Sequence, residues 1–274
     1  MRILYSCLIL LSLFSIVSLS QPAALNGEAV IFCVEEGEWP PFNYTKRVNE
    51  QKTSETLGYD IDVINMIFSE YGIKAEFVVM PWKRCLLRTR KGVYQAVPSA
   101  SSSPQREKDY LLSEAYYTIT PSYFYLKKKY PHGLAIKNAS ELKKQGKICG
   151  RHGYNYVNFG LKNDDVCMGS RTYKSLVDMT LKGRCDIFLA RYETFLGLSY
   201  IGQDFISDRR FGHAPIPNVE PEKFYIMISR NFKYAQELKA IIDSGILKLK
   251  SSGKLQSTFK KYVPSRNGSS ELNN

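Results

Sequence analysis

Three stretches decide the fold: Ala29–Val34 reads AVIFCV, Gly58–Gly72 reads GYDIDVINMIFSEYG, and Ala75–Met80 reads AEFVVM. The first and third are short and apolar, which predicts buried strands. The middle one opens on a glycine turn and places Ile61, Ile64, Ile67 and Phe68 on one face at helical spacing. Strand, helix and strand in that order predict an α/β fold with mainly parallel sheets. Between the first strand and the helix lie Trp39-Pro40-Pro41-Phe42, where two prolines forbid a helix and hold an extended turn. The polar run Thr45 to Thr56 that follows reads as a loop.

The alternation continues outward. Pro81-Trp82 opens a helix ending near Gly92, Tyr94–Val97 is a short strand, and Ser99–Ser103 is a serine loop leading to a helix at Pro104. Ser122–Leu126 (SYFYL) is a strand. Further on come a helix at Ser140–Lys144, a strand at Lys147–Gly150 and a helix at Tyr154–Leu161. A helix at Thr172–Leu181 and a strand at Cys185–Ala190 follow. Phe224–Ile228 is a last strand, and Ala235–Ser244 and Ile246–Tyr262 are two amphipathic helices. The lysine run 127–131 and the proline-rich segment 213–222 read as linkers around a middle block. The expected organisation is a discontinuous lobe 1 (21–126 and 222–264) with an inserted lobe 2 (131–213). Hinges then fall at 127–130 and 214–221, and 265–274 is a disordered tail. A cleft between two such lobes is a usual home for a small ligand.

Residues 1–20 begin Met1-Arg2, continue as a short apolar run and end Ser18-Leu19-Ser20, the pattern of a secretory signal peptide. The expected compartment is therefore the periplasm. The formal charge is +12, but the cations are spread along the chain, and Lys127-Lys128-Lys129 is the tightest run. That dispersion argues against a nucleic-acid partner. After the signal peptide the cysteines are Cys33, Cys85, Cys149, Cys167 and Cys185, none in CxxC spacing, so zinc is not expected. In an oxidising compartment we expect Cys33–Cys85, one bridge among Cys149, Cys167 and Cys185, and one free thiol.

GxSxG, HExxH, P-loop and GxGxxG motifs are all absent, and His132, His152 and His213 are scattered and read as exposed loop residues. No catalytic residue, cofactor or metal is expected. Trp39 and Phe42 follow the first strand, where loops line the crevice of an open sheet, so either could stack on a ligand or simply pack. Trp82 carries the same two readings. The run Ser99 to Arg106 offers the hydroxyls of Ser101 and Ser103, a helix start and a guanidinium fork, which suit a carboxylate. On composition alone it reads first as a serine cap beside a surface arginine.

Taken in register, several motifs resemble the family 3 extracellular solute-binding proteins over nearly the whole chain. They are Glu38-Trp39-Pro40-Pro41-Phe42, Gly58-Tyr59-Asp60-Ile61-Asp62, Pro81-Trp82-Lys83-Arg84, Gly92-Val93-Tyr94-Gln95-Ala96 and Ser103-Pro104-Gln105-Arg106-Glu107. Ser113-Glu114-Ala115-Tyr116-Tyr117, Gly153-Tyr154-Asn155 and Leu181-Lys182-Gly183-Arg184-Cys185-Asp186 complete the set. The resemblance implies a monomeric, two-lobe periplasmic-binding-protein type II fold serving an ABC transporter or a sensor. It implies that Arg106, with Ser103, holds a ligand carboxylate, that Trp39 and Phe42 line the cleft, and that Gly153, Tyr154 and Asn155 meet the same anion from the other lobe. Two departures stand out. Gln95 replaces the usual aspartate, and Arg191 stands where amino-acid binders carry an acidic residue for the α-ammonium. An arginine there disfavours an ordinary L-amino acid. Some proteins resembling this fold are dehydratases of cyclic acids such as arogenate or prephenate. On that alternative, Glu193 or His152 has to serve as acid or base.

Overall fold

In the computed structural model, Leu25 and residues 29–264 are described. The expected signal peptide at 1–20 and tail at 265–274 lie outside them. The chain runs β1 (Ala29–Glu35), β2 (Tyr44–Val48), β3 (Gln51–Leu57), α1 (Tyr59–Ser69), β4 (Lys74–Met80), α2 (Trp82–Arg90), β5 (Ala96–Ser101), α3 (Pro104–Asp109), β6 (Tyr110–Leu112) and β7 (Tyr117–Ile119). It continues through β8 (Pro121–Leu126), α4 (Leu142–Gln145), β9 (Ile148–Arg151), β10 (Cys167–Ser170), α5 (Tyr173–Leu181), β11 (Ile187–Arg191), α6 (Tyr192–Gly197) and β12 (Phe211–Pro215). It returns through β13 (Glu222–Ser229), α7 (Ala235–Ser251) and α8 (Lys254–Tyr262).

Two sheets result. The first has the order β4-β1-β5-β13-β6 with β7 also on β13, and the second has the order β10-β9-β11-β8-β12. Both are mixed, not mainly parallel as expected. β1 pairs in parallel with β4 and β5, and β9 with β10 and β11, whereas β13 and β8 run antiparallel to their neighbours. The cause is the crossing between sheets. β8 and β13 are the strands by which the chain enters each sheet from the other. They start at the edge where the βαβ strands end, so they run the opposite way.

That pairing moves the first crossing between the sheets. β8 lies in the second sheet, with Pro121 opposite Arg191 and Tyr125 opposite Ile187. The chain therefore changes sheet at Thr120, not at 127–130. Residues 127–130 form the turn after β8, where the Lys129 and Tyr130 amides donate to Leu126 O. A strand buried on both faces carries no mark of which sheet it joins, whereas a lysine run looks like a linker. The second crossing lies in 216–221, because residues 213–215, expected in the linker, belong to β12.

Other local expectations change for physical reasons. The polar run expected as a loop is the β2–β3 hairpin, turning at Asn49 and Glu50, both with positive φ. Its strands bury only Thr45 and so show no apolar alternation. Residues 154–161 hold only a 3-10 turn at Val157–Phe159, not a helix. β5 extends to Ser101, through most of the expected serine loop. α7 runs through Gly245, where a Cβ would stand 2.5 Å from Ile67, so this glycine permits close packing of α7 on α1. The break falls instead at Gly253, with φ +72°.

Phe32, Ile64, Ile67, Phe68, Ile242 and Ile246 are buried together between the first sheet and its helices. Each such side chain contributes about 1.5–3 kcal/mol through burial. Cys33–Cys85 ties β1 to α2, and Cys149–Cys185 ties β9 to the approach to β11; Cys167 is the free thiol. Among the described residues no helix is long and apolar enough to cross a membrane.

Candidate functional site

The parallel strands of both sheets end toward one another, and their last residues build the site. From the first sheet comes the turn after β1. The Trp39 amide and carbonyl pair with Asn43, and the indole Nε1 donates to Tyr117 Oη at 3.3 Å. The indole meets the Tyr154 ring edge-on at 6.0 Å, so the two sheets touch through an aromatic pair. Phe42 does not line this space. It is fully buried and stacked on Tyr117 at 4.0 Å, because the proline turn folds it under the sheet as a core residue.

Beneath the turn lies a buried polar network. The Asp60 carboxylate accepts from Asn43 Nδ2 at 2.6 Å, Ser99 Oγ at 2.5 Å and Tyr116 Oη at 2.5 Å. Ser99 sits where β5 is bulged against β13, with φ +56°, and its hydroxyl also meets Tyr117 Oη at 2.7 Å. Burial pushes the Asp60 pKa up to about 6, against the three hydrogen bonds that favour its ionised form.

The end of β5 carries the guanidinium. Ser103 caps α3 by accepting from the Arg106 amide at 3.3 Å. Arg106 Nη1 donates to Ser101 O at 2.8 Å and Ser101 Oγ at 2.9 Å, and the half-buried Trp82 ring lies 5.7 Å from Arg106 Cζ. Burial lowers the Arg106 pKa, with Glu222 opposing and Arg191 adding to that effect. The structure therefore brings Trp82, Ser101, Ser103 and Arg106 into one group.

The second sheet supplies Gly153, Tyr154 and Asn155 just after β9. Gly153 has φ +81° with open space where a Cβ would stand, while Asn155 is exposed and caps the Val157 amide through Oδ1. Arg151, which sequence reading passed over, lies between the Tyr154 and Tyr173 rings at 4.5 and 4.8 Å. Its charge faces Glu35 at the end of β1, whose pKa burial raises and Arg151 opposes. Each follows directly on a predicted strand, Ala29–Val34 or Lys147–Gly150, which was the available signal.

Arg191 ends β11, buried, with its Nε donating to Glu222 Oε2 at 2.5 Å. Glu222 Oε1 accepts from Asn158 Nδ2 at 2.6 Å. The first crossing is also held by a carboxylate. Glu193 accepts from the Thr120 amide and from Thr120 Oγ1, each at 2.7 Å. Beside the second crossing, Ser101, Ser102, Asn158 and Glu222 border an open cavity of about 450 Å³. His213 is not a loop residue. It lies in β12 against the Phe124 and Tyr192 rings. Among the described residues no group of three or more His, Cys, Asp or Glu could hold a metal.

The profile of the bacterial extracellular solute-binding proteins, family 3, matches residues 31–265. No curated protein matches the chain. Among solved structures, an ABC uptake transporter substrate-binding protein from Streptococcus pneumoniae with bound histidine aligns at 16% identity and TM-score 0.65, over 86% of this chain and 93% of its own. An ancestral amino acid-binding protein described as a precursor of cyclohexadienyl dehydratase aligns at 16% and TM-score 0.63, over 85% and 95%. A histidine kinase sensor domain similar to periplasmic binding proteins aligns at 13% and TM-score 0.66, over 86% and 96%. At these identities the likeness is one of fold, the two-lobed type II arrangement.

Proposed function

From the premise that this chain belongs to the bacterial extracellular solute-binding proteins, family 3, we propose that it captures a small carboxylate-bearing solute between its two sheets. Arg106 is the anchor. Its Nη1 is held by Ser101, while its charge has no carboxylate bonded to it among the described residues. That half-buried guanidinium, with no carboxylate bonded to it, is the observation that carries the reading, because such a group gains most from an incoming carboxylate. Ser101 orients it, Ser103 caps the helix that carries it, Trp39 and Trp82 wall it, and Gly153 and Asn155 supply amides from the opposite sheet. Closure of the sheets over the solute, hinged at Thr120 and at 216–221, is biased by contacts to both sides.

The protein works as a monomer outside the cytoplasm, in the periplasm, with residues 1–20 as its export signal. It hands its ligand to an ABC transporter or to a membrane sensor. It is a receptor, not a dehydratase. Both Glu193 oxygens are engaged by Thr120, and His152 is exposed, so neither is poised as an acid or base for a bound acid.

A thermal-shift screen of amino acids, dicarboxylates and other small organic acids tests this. A true ligand raises the melting temperature with its concentration. We expect such a hit to vanish in Arg106→Ala. A hit that persists there removes Arg106 as the anchor, and turnover of a cyclohexadienyl acid removes the receptor reading.

A further inference from the structure

Four carboxylates around the site, Glu222, Glu193, Glu38 and Asp60, are already bonded by the protein, whereas the Arg106 guanidinium is bonded to no carboxylate among the described residues. Glu222 spends one oxygen on Arg191 and the other on Asn158. Glu193 spends both on Thr120. Glu38, at the base of the Trp39 turn, is held by Arg47, Lys52 and the Thr45 amide. Asp60 lies beneath the turn with three donors on it. Glu35 faces the positive charge of Arg151. An ammonium group entering beside Arg106 finds Glu222, Glu193, Glu38 and Asp60 already bonded.

The aromatic faces tell the same story. A bound ammonium can also rest on a ring face. Here the Arg191 guanidinium already lies over Trp39, Tyr154, Phe159 and Phe224, at 5.7, 5.8, 5.1 and 6.0 Å. A second cation beside it would be repelled in a space of low dielectric.

We infer that the ligand of this site is a small organic acid anion without an ammonium group, a hydroxy acid or dicarboxylate class of solute. This rests on the receptor reading above. One carboxylate goes to Arg106, and the far end of the ligand meets Arg151 and the amides of Gly153 and Asn155. Arg191 with Glu222 fills the place that a bound ammonium and its counter-charge would otherwise take.

The experiment compares ligands that differ only at one substituent. L-malate is titrated against L-aspartate, L-lactate against L-alanine, and L-2-hydroxyglutarate against L-glutamate. Calorimetry is run on the mature protein after unfolding, dialysis and refolding to strip bound solutes. At least one hydroxyl member should bind tenfold or more tighter than its amino partner, and that binding should be lost in Arg106→Ala. An amino member that binds as well as its hydroxyl partner, or better, overturns the inference and leaves the receptor reading intact. If none of the six binds, the carboxylate-receptor reading falls, and this inference with it.

Discussion

Arg191 and Glu222 form a buried ion pair at 2.5 Å that joins the last residue of β11 to the first residue of β13, across the second crossing. Each side chain is only 6% exposed. Desolvation of both charges is therefore costly, and their mutual attraction and the Asn158 bond have to offset it. Removing one partner leaves the other charge buried alone. Glu222→Ala should destabilise the protein by about 3–5 kcal/mol, read by urea unfolding. The double replacement Arg191→Met with Glu222→Leu should recover most of that loss. A double variant no more stable than Glu222→Ala would show that the pair itself, not the orphaned charge, accounts for the effect.

Asp60 gives stability a distinct pH dependence. Its pKa lies near 6 in the folded protein, above the value of 3.8 in a solvated chain. The folded state therefore binds the proton more tightly than the unfolded one. The resulting stabilisation is fully present below about pH 4 and is lost as pH rises through 6. The difference of about two pH units corresponds to roughly 3 kcal/mol. In Asp60→Asn that dependence should disappear. The Asn43 amide can turn over to offer its buried Oδ1, which has no hydrogen-bond partner in the wild-type network. Other carboxylates titrate too, so the quantity to follow is the stability gap between wild type and variant at pH 4 and pH 7. A gap that stays flat would mean that Asp60 ionises as freely in the folded protein as in the unfolded one.

Gly197 sets how closely α6 approaches the turn that carries Trp39. A Cβ there would stand 2.3 Å from Pro41 N, a backbone atom that cannot swing aside. Gly197→Ala should cost about 1–3 kcal/mol through overpacking. It should also displace the turn and weaken ligand binding, since Trp39 reaches Tyr154 from that turn. Paired melting and titration curves check both effects. Unchanged affinity in a destabilised variant would uncouple the turn from the site.

The sequence showed the fold well wherever burial is one-sided or complete. AVIFCV and the Ile61–Phe68 stripe became β1 and α1, because apolar spacing reports directly which face meets the core. It failed where partner choice is tertiary. SYFYL is visibly a strand, but its membership of the second sheet depends on β11 and β12 standing beside it. The same holds for the site. The grouping of Arg106 with Ser101 and Ser103 was legible from the serines and the helix start, which are local. Phe42 was assigned to the cleft by its neighbour Trp39, although stacking on Tyr117, distant in sequence, buries it. Glu222 gave no local sign, since its role exists only through Arg191.

The protein has two tryptophans, Trp39 and Trp82, and both stand at the site, one beside Arg191 and one beside Arg106. Both indoles border a guanidinium whose field changes when an anion arrives, and Trp39 also touches the opposite sheet through Tyr154. Intrinsic fluorescence should therefore shift on ligand binding, and the single variants should divide the signal. Trp82→Phe retains the part that reports movement of the sheets through Trp39. Trp39→Phe retains the part that reports the carboxylate at Arg106. If Trp39 is the closure sensor, its signal in Trp82→Phe should appear only with ligands that also raise the melting temperature. Its rate should level off at high ligand, where the hinge step limits. A response that comes wholly from Trp82 and rises linearly with ligand would show binding to the Arg106 side without closure.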